Sequence, residues 1–353
     1  MADVRALPLV DRVRGRLALL LAGLPDTAQY RLSRRAPIRI DGQTLDPALQ
    51  MLTAFRPAKE SAPLSAGQPE RARTRFRNEV LSVQGPLTPV GAVRDLTVPG
   101  GDGPLPARHY APPEDSDGTP PLLVYFHGGG FMLGDVDTLD EACRLLCVHG
   151  RQHVVSVAYR LSPENPFPAA VEDGIAALRW AQASAAALGA DPARVAVGGD
   201  SAGGNLAAVV ALVTRDDHPP AAQLLLYPPT DRVRPVPSWK LFDEGFYLSL
   251  ADRMRFHDLY VGGTGVADDD PRVSPIYGDL AALAPALVVS AGFDVLRDEA
   301  ENYARALAAA GTPTLLRREP SMAHGFVQLT NASRGARRAT IAIAAQWREM
   351  LNG

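Results

Sequence analysis

The chain has 353 residues, of which 46% are hydrophobic and 21% charged, and its formal net charge is -3 at pH 7. This composition is ordinary for a globular enzyme, and the length allows one large α/β core with an accessory piece, or two domains. The near-neutral charge argues against a nucleic-acid partner, and no apolar run reaches the roughly 18 residues of a membrane span.

Residues 1–80 are predicted to form a helical and irregular segment without a strong strand. Arginines occupy positions 12, 14 and 16 and precede an apolar run at 17–24, a pattern with only a weak resemblance to a signal peptide. Asp3 and Asp11 fit poorly in the charged region of such a peptide, so an amphipathic helix of the folded protein is the preferred interpretation. That helix could also contact a membrane surface or another subunit. The predicted location is cytoplasmic.

A regular alternation of elements follows the N-terminal segment. A helix is predicted over 46–52, with Pro47 at its first position, and two strands over 92–97 and 106–110 flank a glycine-rich turn at 100–103. Apolar, β-branched segments then alternate with helical ones. The predicted strands are 122–126, 154–158, 194–197, 224–227, 286–290 and 314–318, and the helices between them include 168–188, 202–214 and 299–310. This alternation predicts an α/β fold with a mostly parallel sheet that is covered by helices on both faces.

One interval, about 231–278, departs from this alternation because it contains no clear strand. Aromatic and other large apolar residues are concentrated there: Phe242, Phe246, Tyr247, Met254, Phe256 and Tyr260. An insertion at this point can fold over the carboxyl ends of the strands, where ligands bind in open α/β folds. A lid is the preferred interpretation, and a surface excursion is the alternative.

The two cysteines of the chain, Cys143 and Cys147, lie four residues apart on a predicted helix near His149. So few cysteines exclude a disulfide framework. A metal site is conceivable, but burial of the two small thiols in the core is preferred. No His-Glu-x-x-His or Cys-x-x-Cys spacing occurs, so no metal is predicted.

The most informative stretch is 195–205, which places Ser201 inside Gly-x-Ser-x-Gly between an apolar run and a helix-forming one. This is the pattern of a nucleophile elbow, in which a strained strand-to-helix turn exposes the serine hydroxyl above the sheet. Gly199 and Gly203 flank the serine because side chains there would collide with the neighbouring strand and helix. An ordinary strand-to-helix turn is the alternative interpretation, so the decision depends on the remaining parts of an acyl-transfer site.

An acid and a base follow Ser201 in the order that such a site requires. Asp294 stands just past a predicted strand, whereas Asp298 falls at the start of the following helix, so Asp294 is preferred as the orienting acid. After Asp294 the chain contains a single histidine, His324, in a loop behind the last predicted strand. His324 is therefore the predicted base, in place of an ordinary exposed loop histidine.

The predicted oxyanion donors are the amides of Gly129, Gly130 and Ala202, because bare glycine amides after an early strand can approach a substrate oxygen closely. His127 and Gly128 belong to the same loop, and His127 is assigned a bracing role. The predicted pocket residues are Phe131, Met132, Phe246 and Tyr247. A phosphate-binding loop is excluded because Gly203-Gly204 is followed by Asn205, and no dinucleotide fingerprint occurs. No cofactor is therefore predicted.

Taken together, these motifs resemble the hormone-sensitive-lipase-like family (family IV) of bacterial carboxylesterases, within the α/β-hydrolase superfamily. The motifs are His-Gly-Gly-Gly at 127–130, Tyr-Arg-Leu-Ser-Pro-Glu at 159–164, Pro-Phe-Pro-Ala-Ala at 166–170, Gly-Asp-Ser-Ala-Gly-Gly-Asn at 199–205, Asp-Val-Leu-Arg-Asp-Glu at 294–299 and His-Gly-Phe at 324–326. Two departures lie outside the triad: Ala158 stands where the family often has aspartate, and Ser162 where alanine is common.

The resemblance implies an α/β-hydrolase fold over 81–353, with a helical cap formed by 1–80 and by the insertion at about 231–278. It also implies hydrolysis of short- to medium-chain acyl esters through an acyl-enzyme on Ser201, without a cofactor. A homodimer formed through 314–318 and 332–351 is a further expectation. An amidase or formamidase with the same machinery and a non-catalytic ligand-binding homologue remain as alternatives.

Overall fold

A mostly parallel sheet forms the centre of the computed structural model, which describes residues 6–55, 64–113 and 118–352. A separate short hairpin pairs β1 (Arg39–Ile40) with β2 (Gln43–Thr44). The strands of the main sheet are β3 (Ala92–Gly100), β4 (Gly103–Ala111), β5 (Leu122–Phe126), β6 (His153–Val157), β7 (Val195–Asp200), β8 (Gln223–Leu226), β9 (Ala286–Phe293) and β10 (Thr314–Ala323). Within the described ranges their spatial order is β10-β9-β8-β7-β5-β6-β4-β3. Among the described pairings of this eight-stranded sheet, only those of β4 with β3 and with β6 are antiparallel.

Helices flank this sheet on both faces and precede it along the chain. They are α1 (Leu9–Ala22), α2 (Asp26–Leu32), α3 (Pro47–Ala54), α4 (Pro69–Ser82), α5 (Asp140–Gly150), α6 (Ala169–Ser184), α7 (Ala202–Val213), α8 (Pro237–Leu241), α9 (Leu250–Val261), α10 (Arg297–Ala309) and α11 (Arg334–Asn352). None of the helices in the described part of the chain combines the length and apolar character needed to cross a bilayer.

The continuous apolar segments form the inner strands, as predicted, because every residue of β5 to β9 is buried. Two apolar cores lie on opposite faces of the sheet. One contains residues of α6, α7 and α10, such as Leu178, Leu206 and Tyr303, and the other contains residues of α5 and α11, such as Leu146 and Trp347. The α/β class and the mostly parallel sheet are thereby confirmed.

The two cysteines pack inside the second of these cores. Cys143 and Cys147 are free and buried on α5, and burial raises the pKa of Cys147 to about 12. Buried thiols with a raised pKa remain protonated and inert at neutral pH. The packing interpretation of these cysteines is therefore confirmed.

The N-terminal segment contains the predicted helices, and α1 packs on the rest of the protein through its small residues. Its buried residues are the small ones, Gly15 and Ala22, and a Cβ atom at Gly15 would collide with the Ser82 carbonyl of α4. Large apolar residues of α1 are instead exposed: Leu9, Val10, Val13, Leu17 and Leu20. The close approach of two backbones selects the small-residue face of α1 for packing, so hydrophobicity alone does not identify its buried side.

Candidate active site

Ser201 occupies a sharp turn between β7 and α7. Its backbone has φ 54° and ψ -121°, a strained conformation that a strand-to-helix elbow imposes on its central residue. The glycines on either side permit the turn: a Cβ atom at Gly203 would collide with the carbonyl of Phe126 on β5, and one at Gly199 with the backbone of Gly203. The turn therefore has the geometry of a nucleophile elbow.

His324 and Asp294 complete a chain of hydrogen bonds with Ser201. The Nε2 atom of His324 lies 2.9 Å from Ser201 Oγ, and its Nδ1 atom lies 2.8 Å from Asp294 Oδ2. Asp294 directly follows β9 and is fully buried, and its Oδ1 accepts a hydrogen bond of 2.9 Å from the Leu296 amide. With Nδ1 protonated toward the carboxylate, Nε2 is free to accept the serine proton.

The alternative acid, Asp298, is engaged elsewhere. Its Oδ1 accepts from Arg297 Nε at 2.8 Å, and its Oδ2 accepts from the Ser238 amide at 2.8 Å. The structure thus brings Asp294, and not Asp298, to His324. Tyr227, which the sequence analysis did not single out, packs its ring edge-on against the His324 ring at 4.9 Å between centroids.

Three backbone amides near Ser201 indicate an oxyanion site. Gly129 and Gly130 both have positive φ values, 125° and 63°, and Ala202 is the first residue of α7. Among the described residues, no acceptor takes the amide hydrogens of these three residues. Unpaired amides at a helix start and in a glycine loop are the donors that a developing oxyanion requires.

The loop that carries these glycines is held from both sides. The Tyr159 hydroxyl donates to the His127 carbonyl at 2.7 Å, and the His127 ring stacks on Tyr159 at 4.5 Å between centroids. On the other side, Asp200 Oδ1 accepts from the Gly128 amide at 2.9 Å. Burial lowers the pKa of His127, so this ring is neutral. Its contacts agree with the bracing role that its sequence position suggests.

A cavity of about 950 Å³ opens above Ser201. Gly129, Gly130, Ala202 and His324 line its floor. Its walls come from both segments that the sequence assigns to a cap, and they include Leu17, Leu21, Met51, Phe76, Arg232, Tyr247, Arg253 and Phe256. Such a volume accommodates a small organic ester with both its acyl and its alcohol parts.

Three of the four predicted pocket residues do not line this cavity. Tyr247 does, but Phe131 turns into the core because its backbone adopts φ 60°, and it stacks on Tyr260 at 3.8 Å between centroids. Met132 is fully buried, and Phe246 packs against the Phe242 and Phe293 rings. The prediction was wrong for Phe131 and Met132 because apolar residues beside a glycine loop can face the core as readily as the ligand. It was wrong for Phe246 because its ring packs in an aromatic cluster.

Comparison with protein families gives a match over residues 123–328 to a family model described as an alpha/beta hydrolase fold. The chain is therefore an α/β-hydrolase, and it belongs to the hormone-sensitive-lipase-like family. The matched residues span β5 to the 3-10 turn behind His324, which includes the elbow, the acid and the base.

Several named relatives and solved structures that resemble this α/β-hydrolase are ester hydrolases. The chain is 45% identical over 326 residues to the carboxylic ester hydrolase LipN of Mycobacterium tuberculosis, covering 90% of this chain and 86% of LipN. It is 41% identical over 306 residues to the carboxylesterase NlhH of the same species, covering 84% of this chain and 93% of NlhH. Among solved structures, an ester hydrolase from the metagenome of Lake Arreo superposes with a TM-score of 0.81 at 36% identity, covering 88% of this chain and all of that one.

Asp200 precedes the proposed nucleophile of this α/β-hydrolase and is almost completely buried. Its Oδ1 accepts hydrogen bonds from the Tyr125 hydroxyl at 3.0 Å and from the Gly128 amide at 2.9 Å. Burial nevertheless raises the pKa of Asp200 to about 6. A raised acid pKa means that the folded state disfavours the ionised form, so Asp200 costs stability as pH rises from about 4, with the full cost present above pH 6.

We expect the Asp200→Asn variant to gain stability relative to the wild type as pH rises. The Oδ1 atom of asparagine can retain both hydrogen bonds, and the side chain carries no charge to bury. The difference in unfolding free energy between variant and wild type should shift by about 1 kcal/mol in favour of the variant between pH 5 and pH 8. Urea unfolding at both pH values measures it, with the exposed Asp102→Asn as control. An equal difference at the two pH values would contradict this role for burial.

Proposed function

We propose that the protein is a serine carboxylesterase that hydrolyses short- to medium-chain acyl esters. The observation that carries the proposal is the hydrogen-bonded chain from Ser201 through His324 to Asp294, at the floor of a cavity. The relatives named above are ester hydrolases, which favours an ester over an amide as the substrate. The presence of all three side chains in bonding contact argues against a non-catalytic binding protein.

Acylation begins when His324 Nε2 takes the proton of the Ser201 hydroxyl as its oxygen attacks the ester carbonyl. Asp294 holds the imidazole orientation and stabilises the imidazolium that forms. The amides of Gly129, Gly130 and Ala202 donate to the tetrahedral oxyanion, and one such donor is typically worth about 3 kcal/mol. His324 then protonates the leaving alcohol, and the acyl group remains on Ser201.

Deacylation repeats these steps with water as the nucleophile. His324 takes a proton from the water, the hydroxide attacks the acyl-enzyme, and the acid leaves as Ser201 is reprotonated. Every proton transfer in this cycle is served by His324, so the proposed mechanism requires no cofactor. Cap residues from α1, α3, α4 and α9 border the cavity, and we propose that they limit the chain length of the ester.

Covalent labelling tests this function. A fluorophosphonate should form one adduct per chain, on Ser201, and should abolish hydrolysis of 4-nitrophenyl butyrate in the same proportion. The Ser238→Ala variant is the control and should label like the wild type, because the Ser238 hydroxyl donates to the Val295 carbonyl outside the proposed triad. An adduct at another residue, or labelling of a protein without turnover, would contradict the proposal. Faster cleavage of 4-nitrobutyranilide than of the matched ester would favour an amidase.

We propose that two copies pair through β10 and α11. Within the described residues β10 pairs only with β9, and its Leu315 and Leu316 are 43% and 41% exposed. An unpaired edge with exposed apolar residues is a template for pairing with a second strand. Light scattering should give a dimer mass that falls to the monomer mass in Leu316→Glu. A monomeric wild type would contradict the pairing.

We also propose a cytoplasmic location. Its support is that α1 borders the cavity through Gly15, Leu17 and Leu21, so removal of α1 as a leader would open the proposed active site. Cell fractionation with N-terminal sequencing of the purified protein checks this. A processed N-terminus in an exported fraction would overturn it.

A further inference from the structure

Five arginines border the cavity that contains Ser201. Arg14, Arg71 and Arg75 come from α1 and α4, and the other two, Arg232 and Arg253, come from the insertion at about 231–278. Arg253, on α9, is 3% exposed, and Arg232 follows β8 in the loop that also contains the cavity-lining residue Pro229. The Arg232 amide donates to Ser274 Oγ at 3.0 Å, which ties the backbone of this loop in place. A positive charge in a cavity wall is stabilised by a counter-charge. The partners of these two guanidinium groups therefore show whether either is available to bind an anionic group of a substrate.

Arg253 is paired with a buried carboxylate. Its Nε atom donates to Glu299 Oε1 at 3.1 Å, its Nη2 donates to the Asp231 carbonyl at 2.7 Å, and its guanidinium lies 4.0 Å above the Trp239 ring. Glu299 is fully buried, and its other oxygen accepts from the amides of Thr230 and Asp231. The single negative charge of Glu299 is therefore neutralised by Arg253, and its second oxygen is occupied by the loop amides.

Arg232 has no such partner. Its Nε atom is buried without a hydrogen bond, and no carboxylate of the described residues forms an ion pair with its guanidinium. The other nearby carboxylates are engaged: Asp231 accepts from the Tyr277 hydroxyl at 2.9 Å, and Asp268 lies 2.7 Å from His257 Nε2. Burial and the neighbouring Arg253 lower the pKa of Arg232 to about 10, so it remains charged at neutral pH.

A hydrogen bond connects the loop that contains Arg232 to α7, the helix that begins directly after Ser201. Asn205, one turn after Ser201 on α7, donates to the Pro229 carbonyl at 2.7 Å and so joins the Arg232 loop to the nucleophile helix. On the Arg253 side, Phe256 lies one turn further along α9, and its ring packs directly on Gly130 of the oxyanion loop. Arg232 and Ser201 therefore line one cavity, and the Arg232 loop is joined to the nucleophile helix, so a single substrate can contact both residues.

We propose that Arg232 is a specificity residue that binds an ionised carboxylate of the substrate, so that the preferred esters carry a free carboxylate in addition to the scissile bond. This inference rests on the proposed esterase function and narrows its substrate class. An arginine fork matches a carboxylate with two parallel hydrogen bonds, and the pairing is strong where water is excluded. The carboxylate can come from the acyl part, as in a half-ester of a dicarboxylic acid, or from the alcohol part.

Matched ester pairs test the inference and distinguish the two sources. Monoethyl glutarate is compared with ethyl pentanoate for the acyl part, and the butyrate ester of 4-hydroxybutanoate with butyl butyrate for the alcohol part. In at least one pair, the wild type should show a higher kcat/KM for the charged ester, mainly through a lower KM. In Arg232→Met the ratio of charged to neutral kcat/KM should fall about 10- to 100-fold, the range for a hydrogen bond to a charged group. Arg232→Lys should restore part of it.

The control is Arg234→Met, because Arg234 is exposed and stacks on Tyr277 away from the cavity. Its ratio should equal that of the wild type. A wild type that prefers the neutral ester in both pairs, or an unchanged ratio in Arg232→Met, would overturn the inference while leaving esterase activity intact. Calorimetric binding of monoethyl glutarate and ethyl pentanoate to Ser201→Ala gives a readout independent of turnover. Equal affinities for the two esters would also overturn it.

Discussion

Replacement of Ser201 by alanine is expected to lower kcat for ester hydrolysis by about 10⁶-fold, the scale of nucleophile loss in other serine hydrolases. The reason is that His324 Nε2 lies 2.9 Å from Ser201 Oγ, and the variant has no other hydroxyl at that distance for it to activate. The oxyanion amides and the cavity remain, so hydrolysis about 10³- to 10⁴-fold above the uncatalysed rate should persist.

The Ser201→Ala variant should fold normally because the elbow does not depend on the hydroxyl. The turn is made by the backbone of β7 and α7 and by the glycines around it, and the Ser201 amide still donates to the Leu226 carbonyl at 2.8 Å. Initial rates with 4-nitrophenyl butyrate, on protein with a wild-type circular dichroism spectrum, measure the effect. Ser238→Ala serves as the matched control with near-normal kcat. Residual activity of the Ser201 variant above about one per cent would exclude Ser201 as the nucleophile.

The arrangement of the site could be predicted because it follows from the topology of the sheet. Parallel strands end at one edge, so residues that directly follow β7, β9 and β10 must meet there. Ser201, Asp294 and His324 each follow one of those strands, and the order of motifs was enough to place them together. The same reasoning identified the glycine loop, which follows β5.

The cavity walls could not be predicted because they depend on packing between segments distant in the sequence. Phe131 and Tyr247 look equally suitable as pocket residues, yet only Tyr247 faces the cavity. The φ of 60° at Phe131 directs its ring to Tyr260, and the pattern of residues does not predict this backbone conformation. Arg232 is a charged residue in a loop, and its lack of a partner becomes visible only when Glu299 is seen to be used by Arg253.

The N-terminal helix shows a further limit of pattern-based prediction. Its sequence predicted an amphipathic helix but not its buried side, and the contact with α4 is made where Gly15 allows the backbones to approach. Close backbone contact gains dispersion energy over many atoms, and it competes with burial of larger side chains. The result places Leu17 and Leu21 at the rim of the cavity, where they can contact a substrate.

Replacement of Asp294 by asparagine is expected to lower kcat by about 10⁴-fold while leaving the site geometry intact. The carboxylate accepts from the Leu296 amide through Oδ1 and faces His324 Nδ1 through Oδ2 at 2.8 Å. An asparagine that presents its amide nitrogen to the ring stabilises the tautomer with the proton on Nε2, which cannot accept the proton of Ser201. It also removes the negative charge that stabilises the imidazolium.

The neighbouring Asp298 provides the matched control. It lies one turn further along the chain and bonds to Arg297 and to the Ser238 amide, so Asp298→Asn should retain kcat within several-fold of the wild type. Steady-state kinetics with 4-nitrophenyl butyrate and the rate of fluorophosphonate labelling should fall in parallel in Asp294→Asn, because both reactions use the activated serine. A large loss in Asp298→Asn with a small one in Asp294→Asn would reverse the assignment. A loss confined to KM would show that Asp294 shapes the cavity without orienting the base.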